Sequence, residues 1–144
     1  MNNLSYHESH SHGPLGLPFQ AYSQEDPCGQ YFVPYHWHEE VEFIYVTKGS
    51  LVLRTQNRTR LLQEGHIYFI NPGTLHGLFG NSPFSHHYAL VFRLDMLNFL
   101  QTDSCQTSYL VPLCSGKYLF PDSEALAPEL TAQIAALIKK AADE

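Results

Sequence analysis

The stretch His36-Trp37-His38-Glu39-Glu40-Val41-Glu42, followed by Gly49 and answered downstream by Gly65, Gly73 and His76, decides how this chain is read. It sets three imidazoles and a carboxylate in a sequence otherwise poor in catalytic residue types. His36 and His38 are two apart, so on a strand both side chains leave the same face with α-carbons roughly 7 Å apart, a separation that suits a shared ion. Glu42 lies beyond His38 by roughly 13 Å on a straight strand, too far for ligand atoms that sit about 2 Å from a metal. The chain must therefore turn near Glu39-Glu40. Such a turn predicts that segments 30–38 and 41–48 are neighbouring antiparallel strands and that Gly49 closes the second into a hairpin. His76 then comes from another strand, placed by the turn Asn71-Pro72-Gly73.

Three histidines and one carboxylate in a β frame suit Zn(II), Ni(II), Fe(II) or Mn(II), with positions left over for water or a ligand. No thiolate is needed, which argues against a closed structural zinc site. The bland alternative for His36, His38, Glu42 and His76 is a set of hydrogen-bonded core positions.

Around this centre the chain breaks into short β-rich runs: 19–22, 30–35, 41–47, 50–55, 59–62, 67–70, 75–79 and 87–94. Turn signals separate them at Asp26-Pro27, Lys48-Gly49, Gln56-Asn57, Glu64-Gly65, Asn71-Pro72-Gly73 and Asn81-Ser82-Pro83. Short strands at this spacing predict an antiparallel barrel or jelly roll. Residues 95–100 read as a helical turn and 109–113 as another extended piece. After Pro121 the composition shifts to Ala, Leu, Glu and Lys, and Leu130, Ile134, Leu137 and Ile138 form one apolar stripe on a helix opened by Pro128. That helix stops at Glu144 without a C-cap and reads as part of a longer parent chain.

At 144 residues the chain suits one domain with a single β core. A net charge of −6 with eight scattered Lys and Arg leaves no basic face for phosphates, so this segment alone is a poor nucleic-acid binder. Three cysteines, Cys28, Cys105 and Cys114, form no Cys-x-x-Cys pair and fit reduced thiols in a cytoplasm. With no long apolar run and no leader pattern, the expected setting is cytoplasmic, with no membrane contact. Residues 1–16 carry His7, His10 and His12 among Ser, Gly and Pro and are expected to be a flexible arm.

The spacing His36-x-His38-x3-Glu42-x6-Gly49 resembles the first cupin motif, with Gly29 one residue further upstream than the usual leading Gly. Gly65-x7-Gly73-x2-His76 resembles the second, with Asn71 where a Pro is expected and Gly80 where an Asn is expected. The text from Tyr35 to Val46 and from Glu64 to Gly77 is similar to the N-terminal sensor domain of AraC-type transcriptional regulators. The resemblance implies a mainly β, cupin-type double-stranded β-helix, a jelly-roll barrel over 17–121. Residues 122–144 would then start a helical dimerisation or linker region. It further implies a small-molecule effector, a carbohydrate in many relatives, and a homodimer. DNA binding would belong to a C-terminal helix-turn-helix domain outside this sequence. In such regulators the arm can fold over the effector pocket, and the apolar stretch Leu15–Phe19 is the part expected to do so.

Within this frame the metal set is His36, His38, Glu42 and His76, and Trp37, Tyr45 and Arg54 are the candidate effector contacts. Trp37 and Tyr45, like Tyr35 and Phe43, offer aromatic faces for a sugar ring, against the alternative of ordinary packing. Arg54, Arg58 and Arg60 share a hairpin from which one could hold an anionic or polyhydroxylated ligand, against the alternative of a solvated edge. His66 reads as a strand-entry residue. His86 and His87 cannot both face inward, because neighbours alternate on a strand. The rival function is a small metal-dependent cupin enzyme, a dioxygenase or isomerase, using the same four ligands; a third is a metal-free storage or interaction cupin. The absence of a further acid–base pair near the motifs favours the sensor, for which no catalytic residues are expected.

Overall fold

Along Val41–Lys48 the side chains alternate between two interiors, and that alternation organises the molecule. Ile44 and Val46 face a core shared with Leu51, Leu53, Leu62, Tyr68, Ile70, Leu78 and Ala89. Val41, Phe43 and Tyr45 face a second apolar layer with Ile67, Leu90, Phe92, Leu94, Ala135 and Ile138. In a computed structural model, which describes residues 3–10, 12–121 and 123–144, eight strands form the first of these cores between them. They are β1 (Phe19–Asp26), β2 (Phe32–His36), β3 (Val41–Lys48), β4 (Ser50–Thr55), β5 (Thr59–Gln63), β6 (Ile67–Ile70), β7 (His76–Gly80) and β8 (Ser85–Phe92). Each fully buried aliphatic side chain contributes about 1.5–3 kcal/mol.

Two antiparallel sheets result, ordered β1-β8-β3-β6 and β2-β7-β4-β5. This is the jelly-roll order of a cupin-type barrel, as the motif spacing implied. One local expectation is overturned. Segments 30–38 and 41–48 are not hydrogen-bonded neighbours: β2 pairs with β7, β3 pairs with β6 and β8, and the turn at Glu39-Glu40 carries the chain from one sheet to the other. Gly49 likewise closes no hairpin but passes the chain back, with φ of +71° and so close to Ser82 Oγ that a Cβ would lie 2.6 Å away. Strand pairing in a jelly roll is non-local, so turn residues reveal where the chain reverses but not which sheet it enters.

Gly80, where the motif has Asn, has a steric reason. A Cβ there would lie 2.5 Å from the Gly29 carbonyl and 2.6 Å from Asp26 Oδ2. Asp26 folds this corner by accepting the backbone N–H groups of Cys28, Gln30 and Tyr31. Asn71, where the motif has Pro, exchanges two hydrogen bonds with the backbone of Phe120, accepting its N–H at 2.9 Å and donating to its carbonyl at 3.4 Å. That pair seats the Phe120 ring on Phe43 and Phe69, outside the barrel.

Residues 109–113 are helical rather than extended. A π-helical turn (Gln106–Leu110) runs into α1 (Val111–Cys114), started by Asp103, whose side chain accepts the Gln106 N–H at 2.7 Å. The 3-10 turn nearby spans Leu94–Leu97. α2 (Pro128–Asp143) begins with Pro128 and docks Ala135 and Ile138 onto the outer face of β1 and β8. The stripe is split: Ile138 is buried and Ile134 half-buried, while Leu130 and Leu137 stay exposed. The three cysteines are free and exposed. No helix among the described residues is long and apolar enough to cross a membrane.

The segment expected to be a flexible arm carries local contacts among its described residues. Asn3–Tyr6 form a 3-10 turn, and His7 pairs with Trp37 in a parallel bridge. His12 is buried. The stretch expected over the pocket, Leu15–Phe19, is not there: Leu15 and Leu17 are exposed, and Phe19 opens β1 and packs in the outer layer. Among the residues expected in the arm, Met1, Asn2 and Ser11 lie outside the described residues.

Candidate functional site

The barrel's inward-facing positions at one end gather the predicted ligands. Antiparallel pairing of β2 with β7 sets His36 opposite His76, and a register shift between Val33 and His36 lets the chain swing so that His38, just past the strand, also turns inward. Glu42 arrives from the other sheet on β3, in register with Ile70 and Val91. The ligand nitrogens of His36, His38 and His76 lie within 4.8 Å of one another. Glu42 Oε2 is 3.5 Å from His38 Nε2 and 3.3 Å from His76 Nε2. His38, Glu42 and His76 are buried, and His36 is half-buried.

The three imidazoles share one hydrogen-bond pattern. Each Nδ1–H donates to a backbone carbonyl two residues away: His36 to Pro34 at 2.9 Å, His38 to Glu40 at 3.0 Å and His76 to Thr74 at 2.7 Å. A carbonyl can only accept, so the proton is on Nδ1 and the neutral ring presents a lone pair at Nε2. This second hydrogen bond is what orients a metal-binding histidine. The Nε2 atoms of His38 and His76 are buried without a hydrogen-bond partner, yet face the Glu42 carboxylate. Lone pairs and a carboxylate at that distance repel unless a proton or a metal cation lies between them. The donor set therefore fits a divalent transition metal held by His36, His38, His76 and Glu42.

The electrostatics agree. Burial pushes the Glu42 carboxyl up, but His38 and His76 hold it well below the usual carboxylate range. Burial depresses His38, and the Glu42 carboxylate beside it outweighs this and raises it. His36, further from Glu42, is lowered by burial and by its imidazole neighbours.

A cavity of about 210 Å³ adjoins the cluster, walled by Tyr22, Gln24, Tyr31, Val33, Leu78, Ala89 and Val91 and closed by Glu8 and His12. Burial and the Glu42 charge push the Tyr31 hydroxyl up to about 12. Deeper in, His87 packs edge-on against Tyr31, and burial lowers it to about 4. His86 points the other way, to Ser23 and Thr47, so the two neighbours divide between faces as alternation requires. His66 is exposed beside its turn.

The candidate effector contacts Trp37, Tyr45 and Arg54 do not line this cavity. Strand alternation explains all three. Trp37 lies between inward His36 and His38 and faces out onto His7, ring centroids 4.4 Å apart. Tyr45 lies between inward Ile44 and Val46 and meets α2, with Lys139 Nζ 5.5 Å from its ring. Arg54 follows inward Leu53 and lies over the Phe79 ring. Arg60 reaches Glu124 at 3.4 Å. The residues that do line the cavity and were not singled out, Tyr22, Gln24 and Tyr31, carried a usable signal in part: Tyr22, Gln24 and Asp26 alternate on β1.

A family model described as the AraC-like ligand binding domain matches residues 20–144. Over 45 residues the chain is 36% identical to an uncharacterized HTH-type transcriptional regulator, YdeC, of Bacillus subtilis (strain 168). That match covers 31% of this chain and 16% of the relative's length, so the two are compared over a small part of the regulator. Among solved structures, KdgF from Halomonas sp. is similar at 25% identity over 55% of this chain and 75% of that one, with a TM-score of 0.46. The DMSP lyase DddQ from Ruegeria pomeroyi DSS-3 is similar at 20% identity over 59% of this chain and 41% of that one, with a TM-score of 0.45. A cupin 2 conserved barrel domain protein from Salinispora arenicola CNS-205 is similar at 16% identity over 72% of this chain and 76% of that one, with a TM-score of 0.46.

Proposed function

This chain belongs to the family of AraC-like ligand-binding domains, and on that premise we propose that it is the metal-holding effector sensor of a bacterial transcription regulator. The observation that carries the reading is the shared pattern of His36, His38 and His76, each donating Nδ1–H to a carbonyl and leaving Nε2 for the cluster. These residues and Glu42 would hold Zn, Ni, Fe or Mn, and the bound metal supplies a Lewis-acid anchor for an oxygen atom of the ligand.

The cavity supports a small polar effector. Its volume of about 210 Å³ is below the ~300–1,000 Å³ of pockets for drug-sized molecules. Tyr22, Tyr31 and Gln24 offer hydroxyl and amide groups suited to a carbohydrate-sized, polyhydroxylated molecule. α2, with Leu130 and Leu137 exposed, serves as the seam of a homodimer, and DNA binding belongs to a helix-turn-helix region of a longer cytoplasmic parent.

Metal analysis of protein purified without nickel resin tests the centre. We expect a stoichiometric divalent metal, and less than ~0.1 per chain after reloading overturns it. A thermal-shift screen of sugars tests the effector, with stabilisation following RT ln(1 + [L]/Kd). Turnover of a cupin-enzyme substrate by the loaded protein would replace the sensor with a catalyst.

A further inference from the structure

The N-terminal segment brings two more donor groups to the mouth of the cavity. Trp37 N–H donates to the Tyr6 carbonyl and Glu8 N–H donates to the Trp37 carbonyl, both at 2.9 Å. Side chains alternate on paired extended backbone, so His7 lies with Trp37 on the outer face, and Glu8 lies with His36 and His38 on the inner one. Glu8 Oε2 is 3.2 Å from His12 Nε2 and 3.5 Å from His36 Nε2. His12 is buried, its Nδ1 2.8 Å from the Tyr22 hydroxyl and its ring 5.5 Å from that of His38.

The ligand atoms of Glu8, His12 and His38 lie within 4.8 Å of one another, and His38 Nε2 is a buried atom without a hydrogen-bond partner. Two imidazoles and a carboxylate are a zinc-type donor set with a position left open. His38 Nδ1 is already committed to the Glu40 carbonyl, so Nε2 is its one free lone pair and is shared by both triads.

We infer that Glu8, His12 and His38 form a second position for a divalent transition metal at the cavity mouth, exclusive with the inner position because both draw on the same nitrogen of His38. The inference rests on the metal-holding role of His38 proposed above. An ion in the mouth position would be coordinated by residues 8, 12 and 38 together, and so would tie the N-terminal segment to the barrel.

Zinc chloride is the probe. Binding is measured by calorimetry, and docking of the segment by the emission of Trp37, the chain's one tryptophan, and by hydrogen exchange at the Trp37 amide. The native protein is expected to bind one zinc, not two. The His36→Gln/His76→Gln variant, shown folded by circular dichroism, still binds zinc, and its Trp37 amide exchange slows about tenfold or more on loading. The Glu8→Gln/His12→Gln variant binds zinc at the inner position and shows no slowing. Two zinc ions per native chain would overturn the exclusivity, and no binding by the folded inner-site variant or slowing that persists in Glu8→Gln/His12→Gln would overturn the mouth position. If the inner-site variant does not fold, the native protein against Glu8→Gln/His12→Gln decides on the slowing alone. Zinc binding by the native chain that ignores Glu8 and His12 leaves the inner centre standing; binding that survives only through Glu8 and His12 removes the inner centre instead.

Discussion

Glu42 and His76 meet across the barrel at 3.3 Å, the carboxylate on β3 of one sheet and the imidazole on β7 of the other. Neither strand touches the other by backbone hydrogen bonds, so this contact and its counterpart with His38 are polar links between the two sheets at the end of the barrel. Glu42→Gln removes the charge and leaves His38 and His76 without their anion. The expected outcome is a loss of about 3 kcal/mol in stability, read by urea denaturation of metal-free protein. A loss below about 1 kcal/mol would show that the pair is solvated rather than buried.

His87 makes the stability of the barrel depend on pH. Its folded value of about 4 lies below the ordinary 6.5. Between these values the unfolded chain carries the proton and the folded chain does not, so this part of the stability is complete above about pH 6.5 and is lost as pH falls toward 4. The loss amounts to at most about 3 kcal/mol. His87→Gln should flatten the stability profile across that window, and an unchanged profile would remove His87 as its source.

Gly80→Asn restores the residue found in the related motif, and should harm this protein. The new Cβ would press on the Gly29 carbonyl and on the Asp26 carboxylate. The expected cost is about 1–3 kcal/mol in thermal or chemical unfolding. Stabilisation by this substitution would show that the corner relaxes freely.

Asn71→Ala cuts both hydrogen bonds to Phe120 and frees that ring from Phe43 and Phe69. About 1–2 kcal/mol should be lost, with increased binding of an apolar dye at the outer groove between β8 and α2. Leucine at this position should behave as alanine does, because the side-chain amide and not its bulk seats Phe120.

The grouping of His36, His38 and Glu42 was legible from local spacing because they sit on one stretch of chain and the reach from His38 to Glu42 demands a turn between them. His76 needed a second motif, and its strand could be recognised but not its partner, since β2 to β7 pairing spans most of the barrel sequence. Trp37, Tyr45 and Arg54 have the chemistry of ligand contacts, and strand alternation turns each of them away from the cavity. Glu8 and His12 were obscured by composition: a Ser-, Gly- and His-rich segment buries little apolar surface, and its order in the structure comes from backbone bonds to Trp37 and from polar contacts. The helical turn after Asp103 is hidden in the sequence because the apolar run Tyr109 to Leu113 reads as extended and outweighs a capping aspartate six residues earlier.

The strand order has a kinetic corollary. Of all the pairings in the two sheets, β4 with β5 alone joins strands consecutive in sequence. Every other pairing must close a long loop before it gains hydrogen bonds, which places the chain among slow-folding topologies on the ms–s scale. His36, Glu42 and His76 ride on three such strands, β2, β3 and β7. The cluster proposed to hold a metal therefore comes into being only as the barrel closes, and a metal-binding signal followed during refolding would serve as a clock for the last step of assembly.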